Sequence, residues 1–89
     1  MVDVMHYEVL KKHEIEGAHL IAYLFKSDGN RFFSAVRSPS DVQLQVGDVI
    51  KHHVGQFWKS ADGEQLKIEC NIVCSNLEDA EQKFQELIA

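Results

Sequence analysis

The chain has 89 residues, of which 45% are hydrophobic and 26% are charged, and its net charge is −5. This composition excludes an intrinsically disordered chain, and the length predicts a single domain over residues 1–89 with one modest core. The acidic balance and the lack of a basic stripe argue against nucleic acid as a partner, because Lys and Arg supply most of the affinity for phosphates.

The sequence predicts a cytoplasmic protein with no membrane partner. No apolar run approaches the roughly 20 residues that a membrane span needs. The first residues, MVDVMH, lack the basic and apolar regions of a signal peptide. Cys70 and Cys74 would lie about 13 Å apart on one extended strand, which is too far for a disulfide. We therefore expect two reduced thiols packed in the core.

The first predicted strand covers residues 2–10. Its side chains alternate with a period of two, which indicates a half-buried strand: Met5, Tyr7 and Val9 on one face, against His6 and Glu8 on the other. The polar segment 11–17 follows and ends in a glycine. It predicts a loop or a bulged turn.

Residues 20–36, LIAYLFKSDGNRFFSAV, predict an antiparallel hairpin whose turn lies at 27–30. The Asp28-Gly29 pair is a strong hairpin signal, because Gly supplies the positive φ that the turn needs. Both faces of its first strand are apolar: Leu20, Ala22 and Leu24 on one, Ile21, Tyr23 and Phe25 on the other. An alternative interpretation makes residues 13–25 a helix, but the internal Gly17 and the crowded aromatic and β-branched residues favour a strand.

The next segment contains the only proline, Pro39, where strand pairing should stop or lie at an edge. Three apolar residues then alternate before Gly47-Asp48: Val42, Leu44 and Val46. This pattern is typical of the turn that leads into a strand in small barrels.

Residues 49–58 and 64–74 predict a second hairpin around the turn at 60–63. A type I turn with a glycine bulge sets a register with three pairs: Trp58–Leu66, Val54–Cys70 and Ile50–Cys74. The second strand alternates, with one set of side chains facing inward: Leu66, Ile68, Cys70, Ile72 and Cys74. The same register turns four residues of the first strand outward: Lys51, His53, Gly55 and Phe57.

The C-terminal segment predicts an amphipathic helix. Ser75 and Glu78 have the spacing of a capping box. Five apolar residues follow at helical spacing on one stripe: Leu77, Ala80, Phe84, Leu87 and Ile88. A helix of this length, about 19 Å, can cover only one face of a sheet.

The sequence carries no strong signal for a metal, a cofactor or catalysis. His13-Glu14 begins like a zinc-protease motif, but that motif needs a second His where this chain has Gly17. His52 and His53 are adjacent in a strand and point to opposite faces. No nucleophile motif or phosphate-binding glycine loop is present. We expect no metal and no cofactor, and an enzyme is the least favoured class.

These patterns predict an α+β fold of about five antiparallel strands, in two hairpins that can curl toward a barrel, with one C-terminal helix on the sheet. The helix leaves one apolar face of residues 20–36 without cover, and a second copy of the chain is the commonest cover. The expected function is a non-catalytic interaction or accessory module that forms a homodimer or binds another protein. The candidate interface residues are Ile21, Tyr23, Phe25, Phe33, His53 and Phe57. The alternative is an open barrel or cup that binds a small molecule on that face.

Overall fold

A computed structural model of the protein describes residues 4–40, 43–53, 58–59 and 65–88. These residues form seven strands and one α-helix with the following bounds: β1 (Val4–Ile15), β2 (Leu20–Ser27), β3 (Phe33–Pro39), β4 (Val49–His53), β5 (Trp58–Lys59), β6 (Gln65–Leu66), β7 (Cys70–Cys74) and α1 (Leu77–Ile88). A turn of 3-10 helix, Asp28–Asn30, joins β2 to β3, and Gly29 there has a φ of 70°. The predicted Asp-Gly turn is confirmed.

The strands make one antiparallel sheet in the order β6-β5-β4-β1-β2-β3-β7. Within the described residues, five strands span five residues or more, and α1 packs on β2, β3 and β7. The predicted α+β fold, with about five antiparallel strands and a C-terminal helix on the sheet, is therefore confirmed. The strand interpretation is also confirmed for residues 20–27, which form β2.

β1 pairs with a different strand along each of its edges, and a bulge interrupts its pairing with β2. Residues 4–8 pair with β4 and residues 7–15 pair with β2, with a shift of register between Val9 and Lys11. At this shift the N–H of Val9 donates to the Asp48 carbonyl at 2.9 Å, and the Val9 carbonyl accepts from the N–H of the preceding residue, Gly47, at 2.8 Å. The turn before β4 thus extends the hydrogen bonding between β1 and β4 beyond the first residue of β4.

The predicted loop over residues 11–17 is wrong for its first five residues. Residues 11–15 continue β1, because their backbone pairs with β2 as far as the Ile15–Leu20 pair. The turn covers residues 16–19, with Gly17 at a φ of 78° and His19 at a φ of 55°. The polar side chains of this segment indicated only that it is exposed to solvent, and an exposed segment can still be a strand.

The sheet is curled, because its two edge strands are joined by a short connection. β6 and β7 lie at opposite ends of the strand order, yet only residues 67–69 separate them in the chain. Six interstrand spacings in a flat sheet would place the edges about 29 Å apart, whereas four residue steps reach about 14 Å at most. The edges therefore approach each other. In the described part of the chain they do not pair, so the sheet is not closed.

The sheet has two buried faces. One, which we call the inner face, is a cluster of side chains around β2: Tyr7, Val9, Ile21, Tyr23, Phe25, Val36, Leu44 and Ile50. Ile68, from the connection between the edges, packs against this cluster, so the sheet curls toward it. On the opposite face of the sheet, which we call the helix face, α1 covers residues of β2 and β3. There Ala22, Leu24 and Ala35 lie beneath Ala80 and Phe84. The predicted alternation along β2 is confirmed.

The predicted second hairpin is confirmed only beside its turn. The backbone of Trp58 pairs with that of Leu66, as predicted. However, β7 pairs with β3 and not with β4, so that Cys74 lies opposite Phe33 and Ile50 lies opposite Tyr7. The predicted Ile50–Cys74 pair is therefore wrong.

Cys70 lies opposite Arg37 along the edge of β7 that pairs with β3, and the predicted Val54–Cys70 pair cannot be compared because Val54 lies outside the described residues. The chain bends at Glu69, whose N–H donates to the Arg37 carbonyl at 2.9 Å. After this bend the predicted inward set is divided between the two faces. Ile68 packs on the inner face, and the alternating residues of β7 pack on the helix face.

The helix α1 begins one residue later than the predicted capping box. Asn76 is the cap, since its Oδ1 accepts the N–H of Asp79 at 2.8 Å and its Nδ2 donates to the Asp79 carboxylate at 3.1 Å. The predicted cap at Ser75 is therefore wrong. The apolar stripe of the helix is confirmed for Ala80, Phe84, Leu87 and Ile88, whereas Leu77 is 40% exposed.

Candidate functional site

The structure buries three of the predicted interface residues inside the chain. Ile21, Tyr23 and Phe25 are each 0% exposed, in the centre of the inner face. The expectation that this face lies uncovered is wrong, because the curl of the sheet and the segment before β4 cover it. These side chains are not a surface on which a second copy can sit.

Leu44 is the residue through which the segment before β4 closes the inner face. Its side chain is 3% exposed, and its N–H donates to the Tyr23 hydroxyl at 3.1 Å. The Tyr23 and Phe25 rings stack at a centroid distance of 5.6 Å. These contacts hold the inner side of β2 and the segment before β4 together as one packed cluster.

Burial also affects the ionisation of the two tyrosines. Burial raises the pKa of Tyr23 above its ordinary value of 10.0, the hydrogen bond from Leu44 lowers it, and the carboxylates of Glu14 and Asp48 raise it. Burial raises the pKa of Tyr7 as well. Both hydroxyls therefore stay neutral at physiological pH and serve as parts of the core.

The other three predicted interface residues do not join this group. Phe33 lies opposite Lys26 and packs on the helix face, so its predicted place on the face of Tyr23 is wrong. The backbone of His53 pairs with Val4 in β4, and its side chain lies outside the described part of the structure. Phe57 lies outside the described residues altogether.

The strand β7 is the longer of the two edge strands. In the described residues it pairs with β3 alone, so one row of its backbone N–H and C=O groups has no strand partner there. It has five residues, Cys-Asn-Ile-Val-Cys, with no charge and no proline. A free edge of this kind is a template for pairing with another strand.

One side of β7 is covered and the other is bare. Ile72 and Cys74 point to the helix face, where α1 packs on them. Asn71 and Val73 lie opposite Val36 and Ser34 on the inner-face side, yet both are exposed, with Val73 at 55%. On the inner-face side, the side chains of β3 are therefore buried and those of β7 are exposed to solvent.

The flanks of β7 are held in place by polar contacts. The Arg37 guanidinium contacts the Glu69 carboxylate at 2.7 Å, just before the strand. The Asn76 cap fixes the start of α1 two residues after the strand. In the same region the Ser34 hydroxyl and the Arg37 Nε are buried with no hydrogen-bond partner in the described residues. The edge is thus presented by an anchored segment.

Surface depressions lined by described residues lie at each end of β2. One, of about 210 Å³, surrounds the turn after β1 and is lined by Glu14, Ile15, Glu16, Gly17, His19, Leu20, Ile21, Ser40 and Gln43. The other, of about 290 Å³, surrounds the turn after β2 and is lined by Tyr7, Glu8, Lys26, Ser27, Asp28, Gly29 and Val49. Among the described residues, no group of three or more His, Cys, Asp or Glu could hold a metal ion.

The described residues include no helix with the length and apolarity that a membrane crossing requires. No protein-family model, curated protein or solved structure matches the chain. The candidate site therefore depends on the geometry of β7 alone.

Sequence reasoning missed β7 as a site because it placed this strand inside a hairpin. Its alternation identifies which residues share a face, but alternation does not identify the neighbouring strand. One signal was present: Val73 stands among the outward positions of the strand, with Glu69 and Asn71. An apolar β-branched residue at an outward position is compatible with a contact surface.

Proposed function

We propose that this protein is a non-catalytic interaction module that takes up an additional strand at the free edge of β7. In this mode of recognition, backbone hydrogen bonds provide affinity and the alternating side chains provide specificity. The observation that carries the proposal is the bare side of β7, where Val73 is 55% exposed beside an edge that pairs with no other strand of the described residues.

The composition of β7 supports this function. Natural edge strands are commonly protected by lysines, prolines, bulges or inward charges, which prevent pairing with another chain. β7 has no charged residue and no proline, and its register with β3 runs without a shift from Cys70 to Cys74. An edge that lacks these protections is suited to pairing.

A second support comes from the burial of the inner face. The chain covers Ile21, Tyr23 and Phe25 by itself, so the large apolar surface of β2 no longer requires a partner. The exposed apolar residues near β7, Val73 and Leu77, remain outside that core. A partner strand at this edge would cover Val73 without any rearrangement of the fold.

A selection from a random displayed peptide library tests the proposal. The protein is immobilised sparsely so that copies do not meet, and the selection is repeated with Val73→Glu and with Val46→Glu. Val46 is the matched control, because it is 62% exposed on the turn before β4 and receives the same charge.

We expect peptides with alternating apolar residues that bind the wild type and Val46→Glu but not Val73→Glu. The glutamate at 73 would place a solvated charge beside the added strand. Peptides that bind all three proteins equally, or the recovery of no peptide, would contradict strand addition at β7.

A further inference from the structure

We infer that the strand added at β7 is β7 of a second copy of this chain, paired antiparallel about a twofold axis at Ile72. This inference rests on the proposed function and names its partner. The dimer would join two curled sheets edge to edge into one continuous sheet.

The backbone of an antiparallel edge strand is complementary to itself. A twofold axis brings the same row of donors and acceptors on each copy into register, and twofold dimers are the commonest closed assemblies. Ile72 is the central residue of β7, so an axis there is the one that pairs all five residues of each strand. Any shifted register leaves residues unpaired at both ends.

This register is favourable for charge although each copy carries a net charge of −5. Residues paired across the axis have numbers that add up to 144, so Glu69 lies opposite the partner's Ser75 and not opposite another acid. Between these positions the strand is uncharged. Like charges are therefore absent from the paired backbone itself.

The side chains also meet in matched positions. Ile72 lies beside the partner's Ile72 on the helix face, which extends a surface that α1 already covers. On the bare side, Val73 lies opposite the partner's Asn71. The exposed valine of each copy is covered in this way without burying a charge.

The two cysteines report the register. Cys70 lies opposite the partner's Cys74, where antiparallel partners have Cα atoms about 4.5–5.5 Å apart, within the roughly 4.4–6.8 Å that a disulfide spans. Within one chain the same cysteines are four residues apart on an extended strand, about 13 Å. Both are free and half-buried in the chain. An oxidant can therefore link them only between copies.

The experiment is oxidation by diamide, which accepts the two electrons and two protons released as each pair of thiols becomes a disulfide. We compare the wild type, Cys70→Ser, Cys74→Ser and an equal mixture of the two variants on a denaturing gel without reductant. The inferred register predicts a linked dimer for the wild type and for the mixture. Each variant alone should stay monomeric on the gel, because its remaining cysteine faces serine.

The cross-link pattern distinguishes the registers. Linking of Cys70→Ser alone would mean that the two Cys74 residues are paired, and linking of Cys74→Ser alone would mean the same for Cys70. Either result overturns the axis at Ile72. A mixture that fails to link, while sedimentation shows a dimer, overturns it as well and leaves strand addition standing.

Sedimentation at tens of micromolar provides the second readout. The inference predicts a dimer whose dissociation constant rises at least about tenfold in Val73→Glu, because like charges then meet near the axis. Val46→Glu, which carries the same added charge, should match the wild type. A wild type that remains monomeric overturns the self-pairing. Peptide capture by the same protein would then still support the proposed function.

Discussion

The N–H of Leu44 donates a hydrogen bond to the hydroxyl of Tyr23 at 3.1 Å, between a buried backbone group and a fully buried side chain. This bond ties the segment before β4 to the middle of β2. It explains how two apolar faces are covered when the described residues contain one α-helix: the helix covers one face, and the curled sheet with this segment covers the other.

Tyr23→Phe should destabilise the protein although it keeps the aromatic ring. The Leu44 N–H would be left buried without its acceptor, which costs about 1–3 kcal/mol. Urea unfolding monitored by fluorescence measures the difference in free energy. An unchanged midpoint would mean that water reaches this N–H and that the segment does not close the inner face.

Stability should fall above about pH 10 in a way that depends on Tyr23. Because burial raises its pKa in the folded state, the unfolded chain releases the hydroxyl proton first as the pH rises. The stabilising contribution is complete below the unfolded pKa and is lost as the pH rises through the folded pKa. Unfolding curves from pH 8 to 11 should show a shallower loss in Tyr23→Phe than in the wild type.

Tyr7 must be included in that measurement, since burial raises its pKa too. We expect Tyr7→Phe to reduce the alkaline slope independently and the double variant to reduce it most. Identical slopes in all four proteins would show that neither hydroxyl is buried from water.

The helix cap predicts a difference between two neighbouring residues. Asn76→Ala should cost about 1 kcal/mol, because the Asp79 N–H loses its acceptor. Ser75→Ala, one residue earlier, should change the free energy of unfolding by less than about 0.5 kcal/mol. Thermal unfolding of the two variants decides between them, and a larger loss at Ser75 would restore the cap that the sequence alone favours.

In the turn between β1 and β2, two substitutions should change the stability of the protein in opposite directions. Gly17 has a φ of 78°, so Gly17→Ala should destabilise by about 1–2 kcal/mol, even though no neighbour obstructs its new methyl group. His19 has a φ of 55°, and relief of that strain by His19→Gly should outweigh the roughly 0.5–1 kcal/mol of added chain entropy.

The control for the turn is His13→Gly. His13 is also exposed but lies in β1, opposite Ala22, with no positive φ. This variant should lose stability, whereas His19→Gly should gain up to about 1 kcal/mol. If both histidine variants lose stability equally, the backbone at position 19 is not strained.

The parts of the fold that local patterns determine were predictable. The Asp28-Gly29 turn, the alternation of Tyr23 with its neighbours along β2, and the stripe containing Phe84 all depend on residues close in sequence. The cap was misplaced by one residue because Ser75 and Asn76 are both good caps, and only the geometry of the turn chooses between them.

The parts that depend on long-range pairing were not predictable. Local alternation cannot show that the chain bends at Glu69, and this bend sends β7 to β3 at the far edge of the sheet. The curl of the sheet follows from that topology, and so does the burial of the predicted interface residue Tyr23. The candidate site at Val73 could be recognised only after β7 was found at an edge.

Hydrogen exchange of the β7 amides, measured at low and at high protein concentration, tests most directly that the chain associates through this edge. Pairing predicts that exchange slows with rising concentration at the β7 amides that point away from β3, while amides of the central strand β2 remain equally protected at both concentrations. Exchange in β7 that does not change with concentration, in samples that otherwise show association, would contradict the account.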